Sequence, residues 1–151
     1  MIFQNSRLIP IFISLFFFST NSFCQSGGLV IEWDVLKDVK FEGSFDENSS
    51  TEYDRPIFGE SLEKLEGKQI EISGYVIPMD INLNYYVVSA YPFAACFFCG
   101  SAGPETVMDL HLTKEHNFKN DERVTFCGEL VLNRNSFFEL PFAMRNAKIC
   151  D

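Results

Sequence analysis

Gln69-Ile70-Glu71-Ile72-Ser73 alternates polar and apolar side chains without a break. A repeat of two puts every second side chain on one face of a strand, so this segment has one face to bury and one to leave in water. Tyr75 to Met79 continues the strand past Gly74, read here as a bulge, as far as Asp80-Ile81-Asn82. The repeat returns in Thr106 to Leu112, where Met108, Leu110 and Leu112 share one face and Asp109 and His111 the other. It returns again in Arg123 to Leu132, with Val124, Phe126, Leu130 and Leu132 opposed to Thr125, Cys127 and Glu129. Tyr85 to Tyr91 is apolar on both faces and rich in β-branched and aromatic residues, and Phe137 to Ile149 is a last extended region interrupted by Pro141. One short helix fits Gly59 to Glu66, with Leu62 and Leu65 three apart and Gly67 as its stop. Strands and helices do not alternate, which excludes a doubly wound parallel sheet. A mainly β chain of five strands at this size is expected to close into a small barrel of the oligonucleotide-binding type, because closure removes unpaired edges.

The chain has 151 residues, enough for one domain. Its first 24 residues read as a secretory signal rather than as fold. A short head with Arg7 leads into the apolar run Leu8 to Phe18, and the small and polar Ser19 to Cys24 follow. Eleven apolar residues fall short of the roughly 20 a membrane-spanning helix needs. Cleavage is expected after Cys24, with Ser22 and Cys24 in the peptidase pockets. The rival reading is a lipoprotein anchored through Cys24, against which bulky Phe23 stands where a small residue is wanted. Either way the protein is exported, and a periplasmic location without a membrane span follows. Residues 25–57 then form an N-terminal extension. Leu29 to Val39, with the sole Trp33, fits a strand or a short helix anchored to the core, and Lys40 to Pro56 reads as an acidic loop or linker. Residues 58–151 form the barrel domain.

Acidic residues outnumber basic ones 21 to 12, for a net charge of −9. Loss of Arg7 with the signal takes this to −10. Such a chain lacks the cationic footprint that phosphate backbones require, which argues against nucleic acid as a partner. No Ser-His-Asp order, phosphate-binding glycine loop, zinc-protease helix or dinucleotide fingerprint is present, so a non-enzymatic module is expected.

Four cysteines follow the signal: Cys96, Cys99, Cys127 and Cys150. Cys96-Phe97-Phe98-Cys99 is a C-x-x-C within Pro92 to Pro104, a loop of about the length at which structureless connections tend to be functional. Three chemistries suit it. Two thiolates at this spacing can share a soft tetrahedral metal such as zinc. They can cycle between dithiol and disulfide. They can also form an inert bridge that stiffens the loop. Gly100-Ser101-Ala102-Gly103-Pro104 is a poor start for the helix that usually carries a redox pair. Cys127 and Cys150 are expected to pair, tying the last strand to the sheet.

Leu65-Glu66-Gly67-Lys68-Gln69-Ile70-Glu71-Ile72-Ser73-Gly74-Tyr75-Val76-Ile77-Pro78 resembles the opening L-x-G-K-x-V-x-I-x-G-Y-x-x-P of the bacterial exported family known as domain of unknown function 3299. Tyr91-Pro92-Phe93-Ala94-Ala95-Cys96 resembles that family's aromatic approach to a cysteine. The resemblance spans about Phe58 to Cys150, with Trp33 upstream. It implies an oligonucleotide-binding-type barrel and an association with envelope systems that transport metals such as zinc. Many members follow the cysteine with x-His and a proline run, whereas Phe98 occupies the His position here. Cys96 therefore carries over, and Cys99 stands in as a soft ligand for the missing His.

Zinc needs three or four ligands. His111 lies about 20 Å along its strand from the loop at ~3.3 Å per residue, and reads as a surface imidazole beside Asp109. His116 belongs to the opposite end. Tight pairing of the third and fourth strands would put Cys127 opposite Val107, on a face with Glu105 and Asp109 as further weak ligands. The sequence thus predicts an exported module that binds zinc through Cys96 and Cys99, or serves as an accessory to an envelope transporter. A thiol–disulfide protein using the same pair, or a disulfide-stabilised interaction domain, are the alternatives.

Overall fold

The computed structural model describes residues 27–46, 50–134 and 139–150. The expected signal and the Cys24 lipidation alternative fall in 1–26, outside the described residues. The strands are β1 (Leu29–Val30), β2 (Val39–Asp46), β3 (Thr51–Phe58), β4 (Gln69–Asp80), β5 (Tyr85–Ser89), β6 (Val107–Leu112), β7 (Arg123–Leu132) and β8 (Phe142–Ile149), with one short helix, α1 (Glu60–Glu63). Five of the strands close a ring in the order β4-β5-β6-β8-β7-β4, and β1 lies outside it, parallel to β4. The fold is the expected mainly β barrel of the oligonucleotide-binding type.

β4 is the hinge of the ring. Its first half, Gln69 to Tyr75, pairs with β7, and its second half, Tyr75 to Asp80, pairs with β5. A strand whose two halves pair with different members of a closed ring coils where the partner changes. Gly74 stands at that point, where a Cβ would lie 2.6 Å from both the Ser89 carbonyl oxygen and Val88 Cγ2. The glycine is there for a close approach of backbones rather than for the bulge read from sequence; the register shift in this strand comes later, between Pro78 and Asp80.

The interior is filled by the face that the alternation marks. Ile70, Ile72, Val76, Val88, Met108, Leu130 and Met144 are essentially inaccessible, as are the larger Tyr86, Phe126 and Phe142. Burying each such side chain contributes about 1.5–3 kcal/mol before chain entropy is counted. Phe118, in the connection after β6, sets its ring edge-on to Tyr86 at 5.3 Å and to Phe126 at 5.7 Å. It plugs the barrel end, helped by the Tyr86 hydroxyl, which donates to the His116 carbonyl at 2.8 Å.

Two further expectations fail. β8 runs parallel to β6 and antiparallel to β7, so it is inserted between them. Cys127 consequently lies opposite Glu71 and Lys148, not opposite Val107. Lys40 to Pro56 is not a loop. Val39 to Asp46 pairs antiparallel with Thr51 to Phe58 as a two-stranded arm. Val39, Phe41 and Phe45 alternate with Lys40, Glu42 and Ser44, a strand period masked by the density of acids. Phe58 anchors the arm, buried with its ring 5.5 Å from Phe142. The Arg134 guanidinium lies 5.5 Å above the Phe58 ring and grips Glu66 through two bonds of 2.7 and 2.8 Å. Trp33 holds the preceding turn in place, its indole N–H donating to the Ser73 carbonyl at 2.8 Å.

Ile77, Val87 and Val107 belong to the outward set of the alternation, yet all are buried. Outward Tyr85 of β5 shares a cleft with Phe97, Phe98 and Pro104 of the cysteine loop and with Phe41 and Pro56 of the arm. Loop and arm thus lie over the outside of the barrel as a second layer.

Candidate functional site

The cysteine loop is pinned at its neck and at its crest. Ala90 N–H donates to the Thr106 carbonyl at 2.9 Å, and Phe93 N–H donates to the Asp121 carboxylate at 2.7 Å. Between these points the chain makes short 3₁₀ turns at Phe93–Ala95, Phe97–Cys99 and Pro104–Thr106. Cys96 is extended between the first two, and Gly100 leaves the second at φ +70°, a left-handed conformation cheap only for glycine. Amides of Cys99 and Ser101 both bond back to the Cys96 carbonyl, at 3.2 and 3.4 Å.

This wrap brings the two thiols together. Cys96 Sγ and Cys99 Sγ each donate to the carbonyl oxygen of Phe93 at 3.0 Å. Two atoms sharing one acceptor at that range are at most twice as far from each other. Two thiolates on a tetrahedral zinc stand about 3.8 Å apart, given Zn–S bonds of about 2.3 Å, which this span admits. Cys96 is fully buried and Cys99 is exposed. Partial desolvation pushes the Cys99 thiol up from its ordinary value, and the Cys96 sulfur beside it adds to the effect. Cysteines poised as nucleophiles are shifted the other way, by a cation or a helix N-terminus. The Phe93 carbonyl, which sequence reading missed, is the group toward which both sulfurs turn; no periodicity or motif signals a backbone acceptor.

The other expected residues do not complete this pair. Cys127 and Cys150 form the predicted disulfide, with Cα atoms 5.3 Å apart, and Cys150 N–H donates to the Thr125 carbonyl at 2.9 Å. The further ligands expected beside Cys127 disperse with the strand order. Asp109 is buried, accepting a bond from the Tyr85 hydroxyl at 2.9 Å, and Glu105 lies on a separate depression with Lys37. His111 is exposed next to Asp109, and the His116 ring stacks on Phe118 at 4.8 Å. Among the described residues the one converging group of His, Cys and carboxylate donors is Glu71, Cys127 and Cys150, and its two sulfurs are spent on their mutual bond.

The cleft between loop and arm has a volume of about 520 Å³. Phe97 and Phe98 form its wall on the loop side, so the residues between the two cysteines face an apolar hollow. Reading the arm as a linker hid this cleft from the sequence.

No protein-family model, curated protein or solved structure matches the chain.

Proposed function

We propose that this chain is an exported, non-enzymatic module that takes up zinc through Cys96 and Cys99 and serves as an accessory to metal transport in the cell envelope. The observation that carries the reading is the convergence of both thiols on the Phe93 carbonyl, from a loop fixed to a closed barrel. Two sulfur donors suit a soft or borderline metal over calcium or magnesium. A carbonyl oxygen within 3.0 Å of both sulfurs suits a weak third donor and supports the reading. With no further donor from the described residues, the site is open, as a site that receives and releases its metal must be. The resemblance to domain of unknown function 3299 points to the same role and to an envelope transport protein as partner.

Metal analysis of the reduced protein, prepared without chelators, tests this. Zinc is expected to copurify and to disappear in Cys99→Ser; less than about 0.1 zinc per chain contradicts the reading, because thiolate sites retain zinc strongly.

The nearness of the two thiols on the Phe93 carbonyl favours a second reading, a thiol–disulfide couple that closes between Cys96 and Cys99. Equilibration against a glutathione series separates the two. A couple that opens and closes near the compartment's poise supports the redox reading, and zinc protection of both thiols from alkylation supports the metal one.

A further inference from the structure

We propose that the cleft between the cysteine loop and the arm binds a small organic cation, a quaternary ammonium carried on an apolar body. The site uses neither sulfur and stands apart from the metal-binding reading. At about 520 Å³ the cleft has the size of a small-molecule site. Aromatic side chains from three parts of the chain line it: Phe41 from β2, Tyr85 from β5, and Phe97 with Phe98 from the loop. Phe97 and Phe98 make a corner, with ring centroids 5.5 Å apart and planes at 64°. Tyr85 is held by its hydroxyl, which donates to buried Asp109 at 2.9 Å. The face of an aromatic ring is electron-rich and attracts a cation within about 6 Å of its centroid.

Rings alone would suit any apolar molecule, and charge decides the class. Asp54 and Glu139 line the same cleft, and among the described residues no Lys or Arg does. Neither carboxylate has an ion-pair partner among the described residues, so both charges are left for a ligand. An anion would meet two like charges and four electron-rich faces. A metal ion or a primary ammonium would have to shed tightly held water in exchange for rings that cannot replace its hydrogen bonds. A quaternary ammonium has no N–H to satisfy, and aromatic cages hold such groups.

Calorimetric titration of the purified protein with benzyltrimethylammonium tests this, against neutral benzyl alcohol and anionic benzoate, which share its aromatic ring. Salt at about 0.15 M screens the general attraction of a chain of charge −9 for any cation. The expected result is affinity at least about ten-fold above that for benzyl alcohol, with no uptake of benzoate. Asp54→Asn, Glu139→Gln and Phe98→Leu, all at exposed positions, are each expected to weaken binding several-fold while circular dichroism matches that of the unaltered chain. Equal affinity for benzyl alcohol would make the cleft a plain apolar pocket and overturn the cation site. Binding undiminished in all three variants would put the ligand elsewhere and overturn it as well. So would the absence of binding up to about 10 mM of the ammonium.

Discussion

Cys96 is sealed from solvent and Cys99, three residues on, is open to it, yet their thiols meet on one carbonyl oxygen. The two positions should therefore respond differently to the same change. Cys99→Ser removes a surface thiol and is expected to alter stability by less than about 0.5 kcal/mol while abolishing zinc uptake. Cys96→Ser puts a smaller, more polar group in a buried site and is expected to cost about 1–2 kcal/mol as well as the metal. Urea denaturation of both metal-free variants measures the difference; equal losses would mean that the loop does not bury Cys96 in solution.

The Cys127–Cys150 bridge closes a segment of 23 residues and joins β7 to the end of β8. Constraining the unfolded chain over such a loop is worth about 3 kcal/mol. The double variant Cys127→Ser/Cys150→Ser should lose about that much in denaturant titration, with zinc uptake intact. Loss of zinc in this variant, with the fold retained, would place the metal among Glu71, Cys127 and Cys150 instead.

Gly74 sits where β4 changes neighbours. Gly74→Ala would drive a methyl against the Ser89 backbone and is expected to cost about 1–3 kcal/mol, since backbone on that side leaves little to give. Thermal melting reads this directly. A neutral result would show that this part of β4 is looser than the register implies.

Much of this architecture is legible in the sequence, and the failures have physical causes. The period of two found β4, β6 and β7 because each has one face in the interior. It cannot say which strands are neighbours. The parallel insertion of β8 between β6 and β7 is set by closure of the ring, and it moved Cys127 from Val107 to Glu71. The arm was hidden because its acids resemble a solvated linker, although Phe41 and Phe45 keep the strand period. Cys96 and Cys99 are visible as a motif. Their shared acceptor at Phe93 and the burial of Cys96 depend on the loop being laid over the outside of the barrel, which no local pattern encodes.

Asp109 accepts bonds from Tyr85 and, at 3.4 Å, from the Leu140 amide. Burial nevertheless raises its carboxyl above the ordinary value, and it opposes ionisation more than those bonds favour it. The same burial, with the Asp109 bond, pushes the Tyr85 hydroxyl up to about 12. A carboxyl whose folded value exceeds its unfolded value, near 3.9, holds its proton more tightly when folded. Its contribution to stability is present below the unfolded value and is lost as the pH rises through the folded one. Glu66, which the Arg134 bonds hold low, works in the opposite sense. Asp109→Asn should therefore gain stability relative to the unaltered chain as the pH rises from about 4 to about 7. Urea titrations across that range check the sign, and a relative loss would contradict the burial argument.

The most direct test of the central claim is X-ray absorption at the zinc edge on the reduced, zinc-loaded protein. Coordination through Cys96 and Cys99 predicts a sulfur shell at about 2.3 Å that vanishes in Cys99→Ser. A first shell of nitrogen and oxygen alone, at about 2.0–2.1 Å, would contradict it.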